Sequence, residues 1–128
     1  MTGVRTWLIH IDDPVFTSLN CKIYGQDVEN DAPGKLLHTS TDSRLKSELV
    51  TDNSGVRETY FTFDSVGLNA DTTYYFVING VGYVPTASSY LAWRRSWPDP
   101  VYPHVTASPN AVNLTTYSYA LYLYGADL

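Results

Sequence analysis

Apolar and polar residues alternate at every second position in almost every segment of this 128-residue chain that is long enough to show a pattern. A period of two puts successive side chains on opposite faces of a strand, and it is typical of a strand with one buried face. Between Val15 and Ile23 the odd-numbered residues form the apolar face, so we expect Cys21 to be a small buried hydrophobe. No segment keeps the 3.6-residue period of an amphipathic helix for long, so the pattern predicts an all-β fold.

Turn-forming residues divide the chain into short segments. The pattern predicts strands over residues 4–11, 15–24, 35–41, 56–63, 74–78, 89–93 and 112–124, and residues 45–50 form either another strand or a single helical turn. Pro33-Gly34 and Asn79-Gly80 are the expected turns, because proline presets φ, glycine permits positive φ and Asn-Gly is typical of two-residue hairpins. About eight or nine strands at this spacing predict one antiparallel β-sandwich or barrel that spans residues 1–128.

Composition excludes several classes of protein. The net charge is −5, with 8 Lys and Arg against 13 Asp and Glu, so the chain lacks the concentrated positive charge that binds nucleic acid or an anionic membrane surface. The single cysteine excludes an intrachain disulfide and a cysteine-rich zinc site. The apolar runs are far shorter than a membrane-spanning helix. We therefore expect neither nucleic acid nor a membrane among the partners.

Several segments resemble a known family of domains. They are Cys21-Lys-Ile-Tyr-Gly-Gln-Asp27, Asp31-Ala-Pro-Gly-Lys-Leu-Leu-His-Thr-Ser40, Tyr60-Phe-Thr-Phe63, Gly67-Leu-Asn-Ala-Asp-Thr-Thr-Tyr-Tyr-Phe-Val-Ile78, and Tyr90-Leu-Ala-Trp-Arg-Arg-Ser-Trp97 followed by Tyr102. Together they are similar to the jelly-roll domains, like carbohydrate-binding modules, of bacteriophage tail, fibre and head-decoration proteins and of some bacterial surface proteins. The resemblance covers most of residues 15–105 and implies an antiparallel jelly-roll β-sandwich. Tyr74 is expected to fold back over the corner at Leu68, as in the tyrosine corner of Greek-key sandwiches.

The resemblance also implies a role. It implies a non-enzymatic structural or accessory protein at the virion surface of a bacteriophage: a capsid decoration or cement protein, a collar protein or a subunit associated with a tail fibre. Such a subunit acts through contacts with other virion proteins and needs no cofactor, and decoration subunits on threefold axes imply a homotrimer. The alternative is a glycan-binding or adhesion module, at a virion or extracellular surface, that recognises a host polysaccharide.

Aromatic residues surround a proline-rich segment that follows residues 89–93. The group consists of Tyr90, Trp93, Arg94, Arg95, Trp97 and Tyr102. Flat aromatic faces stack on sugar rings, and arginine binds carboxylates of a neighbouring subunit. The group is therefore a candidate site for a glycan or a protein partner, although strand parity also favours a core position for Trp93.

The last predicted strand carries tyrosine or leucine on both of its faces. Tyr117, Tyr119, Leu121 and Leu123 share one face, and Tyr122 and Tyr124 share the other. One face must pack on the core, so the other is an apolar strip, and tyrosine is enriched in protein contacts. We expect an interface formed by Tyr117, Tyr119, Tyr122 and Tyr124, and the alternative is a central strand that is covered on both sides.

Acidic residues recur before the expected Pro33-Gly34 turn. Asp27, Glu29 and Asp31 occupy the first, third and fifth positions of a loop with EF-hand spacing. That loop requires glycine at its sixth position and glutamate at its twelfth, where this chain has Ala32 and His38. The spacing predicts a loose Ca²⁺ site at most, and a solvated acidic turn is the alternative.

Two residue pairs are candidates for hydrolysis. His10 and Asp12 stand at i and i+2 of one predicted strand, where a carboxylate orients a general base, and Glu58 and Asp64 are a candidate carboxylate pair. Neither a Gly-x-Ser-x-Gly motif nor a glycine-rich phosphate loop accompanies them. We therefore assign no catalytic residue.

Overall fold

The structure, a computed structural model, describes residues 1–30, 32–51, 58–69, 71–93 and 121–124. Within these ranges the chain forms strands, turns and loops, with one turn of 3-10 helix at Lys46–Glu48. The strands are β1 (Gly3–Thr6), β2 (Leu8–Ile11), β3 (Ser18–Asp27), β4 (Ala32–Thr39), β5 (Val50–Thr51), β6 (Thr59–Thr62), β7 (Tyr74–Val81), β8 (Tyr90–Trp93) and β9 (Leu121–Tyr124). The predicted all-β fold is confirmed, and residues 45–50 contain the helical turn rather than one continuous strand.

The described strands form three sheets. Their strand orders are β6-β1-β9, β5-β2-β8 and β4-β3-β7. The pairing is antiparallel, as expected, except between β2 and β5, where Ile9 pairs with Val50 and His10 with Thr51 in a short parallel ladder.

Residues 4–11, predicted as one strand, form two. β1 ends at Thr6 and β2 begins at Leu8, and the two strands belong to different sheets. The alternation nevertheless continues through Trp7, because Val4, Thr6, Leu8 and His10 are all buried. The same core therefore lies under both strands while their hydrogen-bonding neighbours change.

The core is built from alternate residues of β1, β2, β3 and β6. Its buried members are Met1, Val4, Leu8, Leu19, Cys21, Ile23, Leu49, Phe61, Phe63 and Val66. As expected, Tyr74, Phe76 and Ile78 of β7 pack against it, and Leu19, Cys21 and Ile23 form the buried face of β3. The prediction for Val15 was wrong: this residue precedes β3 and is 61% exposed.

Asn79-Gly80 does not form the expected turn. Both residues lie in β7, where they pair with Asn20 and Leu19 of β3. A Cβ on Gly80 would lie 2.7 Å from Cβ of Tyr83, so glycine is required there for a close approach. The positive φ belongs to Gly82, at 67°.

Pro33-Gly34 also lies in a strand, where a turn was expected. Pro33 pairs with Gln26 near the start of β4, and the turn itself is formed by residues 28–30. β4 is an edge of its described sheet, and an edge tolerates a proline that donates no hydrogen bond. A Cβ on Gly34 would lie 3.0 Å from the backbone nitrogen of Asp27, so Gly34 allows the two strands to approach closely.

The corner before β7 is held by the side chain of Tyr74. Its hydroxyl accepts a hydrogen bond from the backbone N–H of Asn69, with an N···O distance of 2.9 Å. Asp71, inside the corner, has a φ of 53°, which an aspartate tolerates better than most residues. The expected fold-back of Tyr74 over this corner is confirmed.

Candidate functional site

The outward face of the β6-β1-β9 sheet carries a group of aromatic and charged side chains. Because side chains alternate along β1, Val4 and Thr6 enter the core and Arg5 lies on the opposite face. The antiparallel register places Tyr60 of β6 and Tyr122 of β9 directly opposite Arg5. We name Arg5, Trp7, Glu58 and Tyr60 the Arg5 cluster.

The guanidinium of Arg5 lies between a carboxylate and an aromatic ring. Its Nη1 is 3.6 Å from Oε1 of Glu58, and the two side chains are 32% and 37% exposed. Its Cζ is 5.4 Å from the centroid of the Trp7 ring, and the Tyr60 hydroxyl donates a hydrogen bond to Glu58 Oε2. At this exposure each contact contributes about 1 kcal/mol or less. Their main consequence is that they hold four partly exposed side chains in one arrangement.

This arrangement suits binding. It presents two aromatic rings, guanidinium donors and carboxylate acceptors side by side, and Trp, Tyr and Arg are the residues enriched at the energetic centres of protein interfaces. The cluster is not apparent from local sequence, because Arg5 and Trp7 are separated from Glu58 and Tyr60 by about 50 positions along the chain. The available signal was that Arg5 and Trp7 alternate with the apolar positions of the first strand.

The predicted tyrosine interface of the last strand lies only partly in the described residues. Tyr117 and Tyr119 lie outside them. Leu121 and Leu123 hold the register positions opposite Thr6 and Val4, on the core face, and Tyr122 and Tyr124 hold the positions opposite Arg5 and Gly3. The backbone therefore places Tyr122 and Tyr124 on the same face of the sheet as the Arg5 cluster.

Only the first part of the predicted proline-rich site is described. Arg94, Arg95, Trp97 and Tyr102 lie outside the described residues. Tyr90 is 39% exposed and pairs with Ile11, whereas Trp93 holds the register position opposite Leu8, a core residue. The register places Tyr90 and Trp93 at opposite ends of β8 and on opposite faces of its sheet.

The acidic turn is organised by hydrogen bonding between its own residues. The Asp27 carboxylate accepts a hydrogen bond of 2.7 Å from Nδ2 of Asn30, and this bond holds the pKa of Asp27 below its ordinary value. Glu29 is exposed in the turn, and Asp31 lies outside the described residues. In the described part of the chain no three His, Cys, Asp or Glu side chains are grouped as a metal site would need.

His10 and Asp12 were expected on one strand face, and this prediction was wrong. His10 is buried in β2, whereas Asp12 follows the strand with a φ of 57° and is exposed. Nδ1 of His10 lies 2.7 Å from the backbone oxygen of Asp12. Because a carbonyl only accepts, this nitrogen carries the proton. The Asp12 carboxylate instead accepts a hydrogen bond of 3.3 Å from the hydroxyl of Ser89.

Glu58 and Asp64 flank opposite ends of β6. At about 3.3 Å per residue, an extended segment of this length separates their backbones by roughly 20 Å. A carboxylate pair for glycoside hydrolysis needs roughly 5–10 Å. Glu58 belongs instead to the Arg5 cluster.

Cys21 is confirmed as a buried hydrophobe. Its side chain is 0% exposed, and burial, assisted by the carboxylate of Asp42, raises the pKa of the thiol to about 12. Thiolates are the reactive form of cysteine, so this thiol stays protonated and unreactive near neutral pH.

No family model, curated protein or solved structure matches the chain. In the described part of the chain no helix has the length and apolar character needed to cross a membrane.

Proposed function

We propose that the chain is a non-enzymatic structural subunit of a bacteriophage particle, and that it holds neighbouring virion proteins through the outward face of its β6-β1-β9 sheet. The observation that carries this proposal is the Arg5 cluster, in which a guanidinium is held between Trp7 and Glu58 on a partly exposed surface. We choose a phage particle as the assembly because residues 15–105 resemble phage jelly-roll domains.

The cluster favours a protein partner for an electrostatic reason. The Arg5–Glu58 pair and the Arg5–Trp7 contact contribute little while water screens them, and they strengthen when a partner excludes that water. Tyr122 and Tyr124 hold positions on the same face, so the contact surface extends from β6 across β1 to β9.

The finer architecture belongs to the same proposal. We propose that the sheets form the two layers of a jelly-roll sandwich, with β3 opposite β1 and β6. The support is that Val4 and Phe61 share one buried cluster with Cys21 and Ile23. Nuclear Overhauser contacts between Phe61 and Ile23 would test it, and their absence would contradict a two-layer core.

Binding to particles tests the proposed function. The purified chain is sedimented with particles of the phage from which its gene is taken, after removal of the resident copy of the subunit. We expect stoichiometric co-sedimentation of the wild-type chain, and Arg5→Ala should weaken binding at least tenfold, since hot-spot truncations cost about 2 kcal/mol or more. Val84→Ala, at a side chain that is 59% exposed elsewhere, is the matched control. Binding that Arg5→Ala leaves unchanged would refute the role of this face.

A glycan-binding module is the second candidate. The observation that favours it is that Tyr90, the first aromatic residue of the proline-rich group, is 39% exposed. The test is a glycan array probed with the wild-type chain and with Trp97→Ala. Selective binding that Trp97→Ala abolishes would establish glycan recognition, whereas a blank array from folded protein would favour assembly.

A further inference from the structure

The edge of β6 that faces away from β1 is covered by residues 40–44, which follow β4 and which we name the strap. In an antiparallel pair, alternate residues of a strand direct their backbone N–H and C=O groups toward the same neighbour. Phe63, directly after β6, directs its N–H toward β1 and donates to the backbone oxygen of Thr2 at 2.8 Å. Tyr60 and Thr62 therefore direct their backbone groups away from β1, toward the strap.

The strap satisfies these groups largely through side chains. The backbone N–H of Thr41 donates to the backbone oxygen of Thr62 at 2.8 Å. The N–H of Thr62 donates to Oδ1 of Asp42 at 2.9 Å. Nε of Arg44 donates to the backbone oxygen of Tyr60 at 2.7 Å. Three backbone groups on this edge of β6 are thus hydrogen-bonded without the ladder of a neighbouring strand.

The other side of the strap is held by β3. Leu19 and Arg44 exchange two backbone N–H···O bonds of 2.8 Å. The N–H of Ser40 donates to the backbone oxygen of Cys21 at 2.8 Å. The hydroxyl of Ser40 accepts a bond of 3.0 Å from the Cys21 N–H and donates one of 2.8 Å to the backbone oxygen of Asp42. The strap therefore lies between β3 and β6 and joins the β4-β3-β7 sheet to the β6-β1-β9 sheet.

Two side chains of opposite charge fix the conformation of the strap. Nη2 of Arg44 lies 2.6 Å from Oδ2 of Asp42, and the two side chains are 24% and 27% exposed. Each charged group therefore binds the other while it also binds a backbone group of β6. A carboxylate has two oxygens and a guanidinium has several N–H donors, so both contacts form at once. Hydrogen bonds with one charged partner are also stronger than neutral ones.

An open strand edge is a template on which a strand of another chain can pair. We propose that the strap is an edge guard, in which Asp42 and Arg44 occupy the backbone groups through which β6 would otherwise accept a strand from a second copy of this chain. A covering loop and charged side chains are two means by which β proteins prevent such pairing. The inference does not rest on the proposed function, which uses the outward face of the sheet rather than its edge.

Hydrogen exchange tests the guard at a single amide. Asp42→Ala removes the acceptor of the Thr62 N–H and should accelerate its exchange at least about tenfold. Asp64→Ala, at an exposed carboxylate after β6, is the matched control and should leave this rate unchanged. The amide of Phe61, which pairs with Val4 of β1, should keep its wild-type rate in both variants. Unchanged exchange at Thr62, or equal acceleration at Thr62 and Phe61, would overturn the role of Asp42.

Self-association tests the function of the guard. The double variant Asp42→Ala/Arg44→Ala uncovers the edge of β6, so we expect it to form larger species than the wild-type chain in sedimentation velocity at the same concentration. Adding Thr62→Lys places a charge on the uncovered edge and should restore the wild-type mass, because edge lysines prevent strand pairing.

Circular dichroism checks that these variants keep their β structure. Arg44→Ala alone, which removes fewer bonds, repeats the comparison if the double variant unfolds. A folded variant that keeps the wild-type mass would overturn the proposal. Larger species that persist after Thr62→Lys is added would also overturn it, because association would then not depend on the β6 edge.

Discussion

Burial determines the chemistry of Cys21. The thiol lies in the core between Leu19 and Ile23 on the buried face of β3, where no solvent stabilises a negative charge. Its pKa is therefore raised from 9.0 to about 12, first by desolvation and then by the Asp42 carboxylate. The folded chain keeps the neutral thiol at pH values where the unfolded chain ionises.

Cys21 should therefore make the fold sensitive to alkali. Its contribution to the free energy of unfolding is fully present below pH 9 and is lost as the pH rises toward about 12, by about 1.4 kcal/mol per pH unit. Urea unfolding of the wild-type chain and of Cys21→Ala between these pH values measures it, because the variant retains all other titrations. Identical pH dependence in the two proteins would contradict this assignment.

The Tyr74 hydroxyl is expected to stabilise the corner before β7. Tyr74→Phe removes the acceptor for the Asn69 N–H and should lower the free energy of unfolding by about 0.5–1.5 kcal/mol. Tyr90→Phe, at an exposed tyrosine, is the control and should be neutral in the same urea titration. An equal, small effect of both substitutions would show that water replaces the bond at no cost.

The sequence predicted individual strands well where one face is fully buried. It predicted them poorly where a glycine lies inside a strand and allows a close approach of its neighbours. Alternation alone located β3 and β6, because Leu19, Ile23 and Phe61 have no exposure at all. Asn79-Gly80 has the sequence of a turn, yet both residues lie in β7, where they pair with β3. That pairing, like the Arg5–Glu58 ion pair between β1 and the start of β6, depends on a register that local sequence does not encode.

Gly80 should therefore be intolerant of a methyl group. Gly80→Ala brings Cβ to 2.7 Å from Cβ of Tyr83, and such overpacking costs about 1–3 kcal/mol. Gly67→Ala is the control, since nothing lies within 4 Å of its added Cβ. Thermal unfolding compares the two variants, and equal melting temperatures would contradict the close packing of Tyr83 on β7.

At the scale of the molecule, the strand pairing that the structure describes is concentrated on three strands. In the described sheets, β1, β2 and β3 each lie between two neighbours, whereas the other strands have one described neighbour each. β1 and β3 also carry buried residues of the core. These central strands are therefore expected to be the most stable part of the chain.

Hydrogen exchange should reveal this order. We expect the amides of Cys21 and Ile23 in β3, and of Val4 in β1, to exchange at rates limited by global unfolding, and the amides of Lys35 and Leu36 at the β4 edge to exchange much faster. Exchange measured by NMR over hours distinguishes the two groups. Uniform protection of β3 and β4 would contradict an exposed edge at β4.

The pairing of β1 with β9 has a consequence for synthesis of the chain on the ribosome. Val4 pairs with Leu123, so β1 waits for a partner strand that is translated roughly 120 residues later. At about 5–20 residues per second, this delay is on the order of ten seconds. During that time β1 has one side without its final neighbour, and an open strand edge recruits strands from other chains. A ribosome that stalls before Leu121 therefore carries a nascent chain whose first sheet is incomplete.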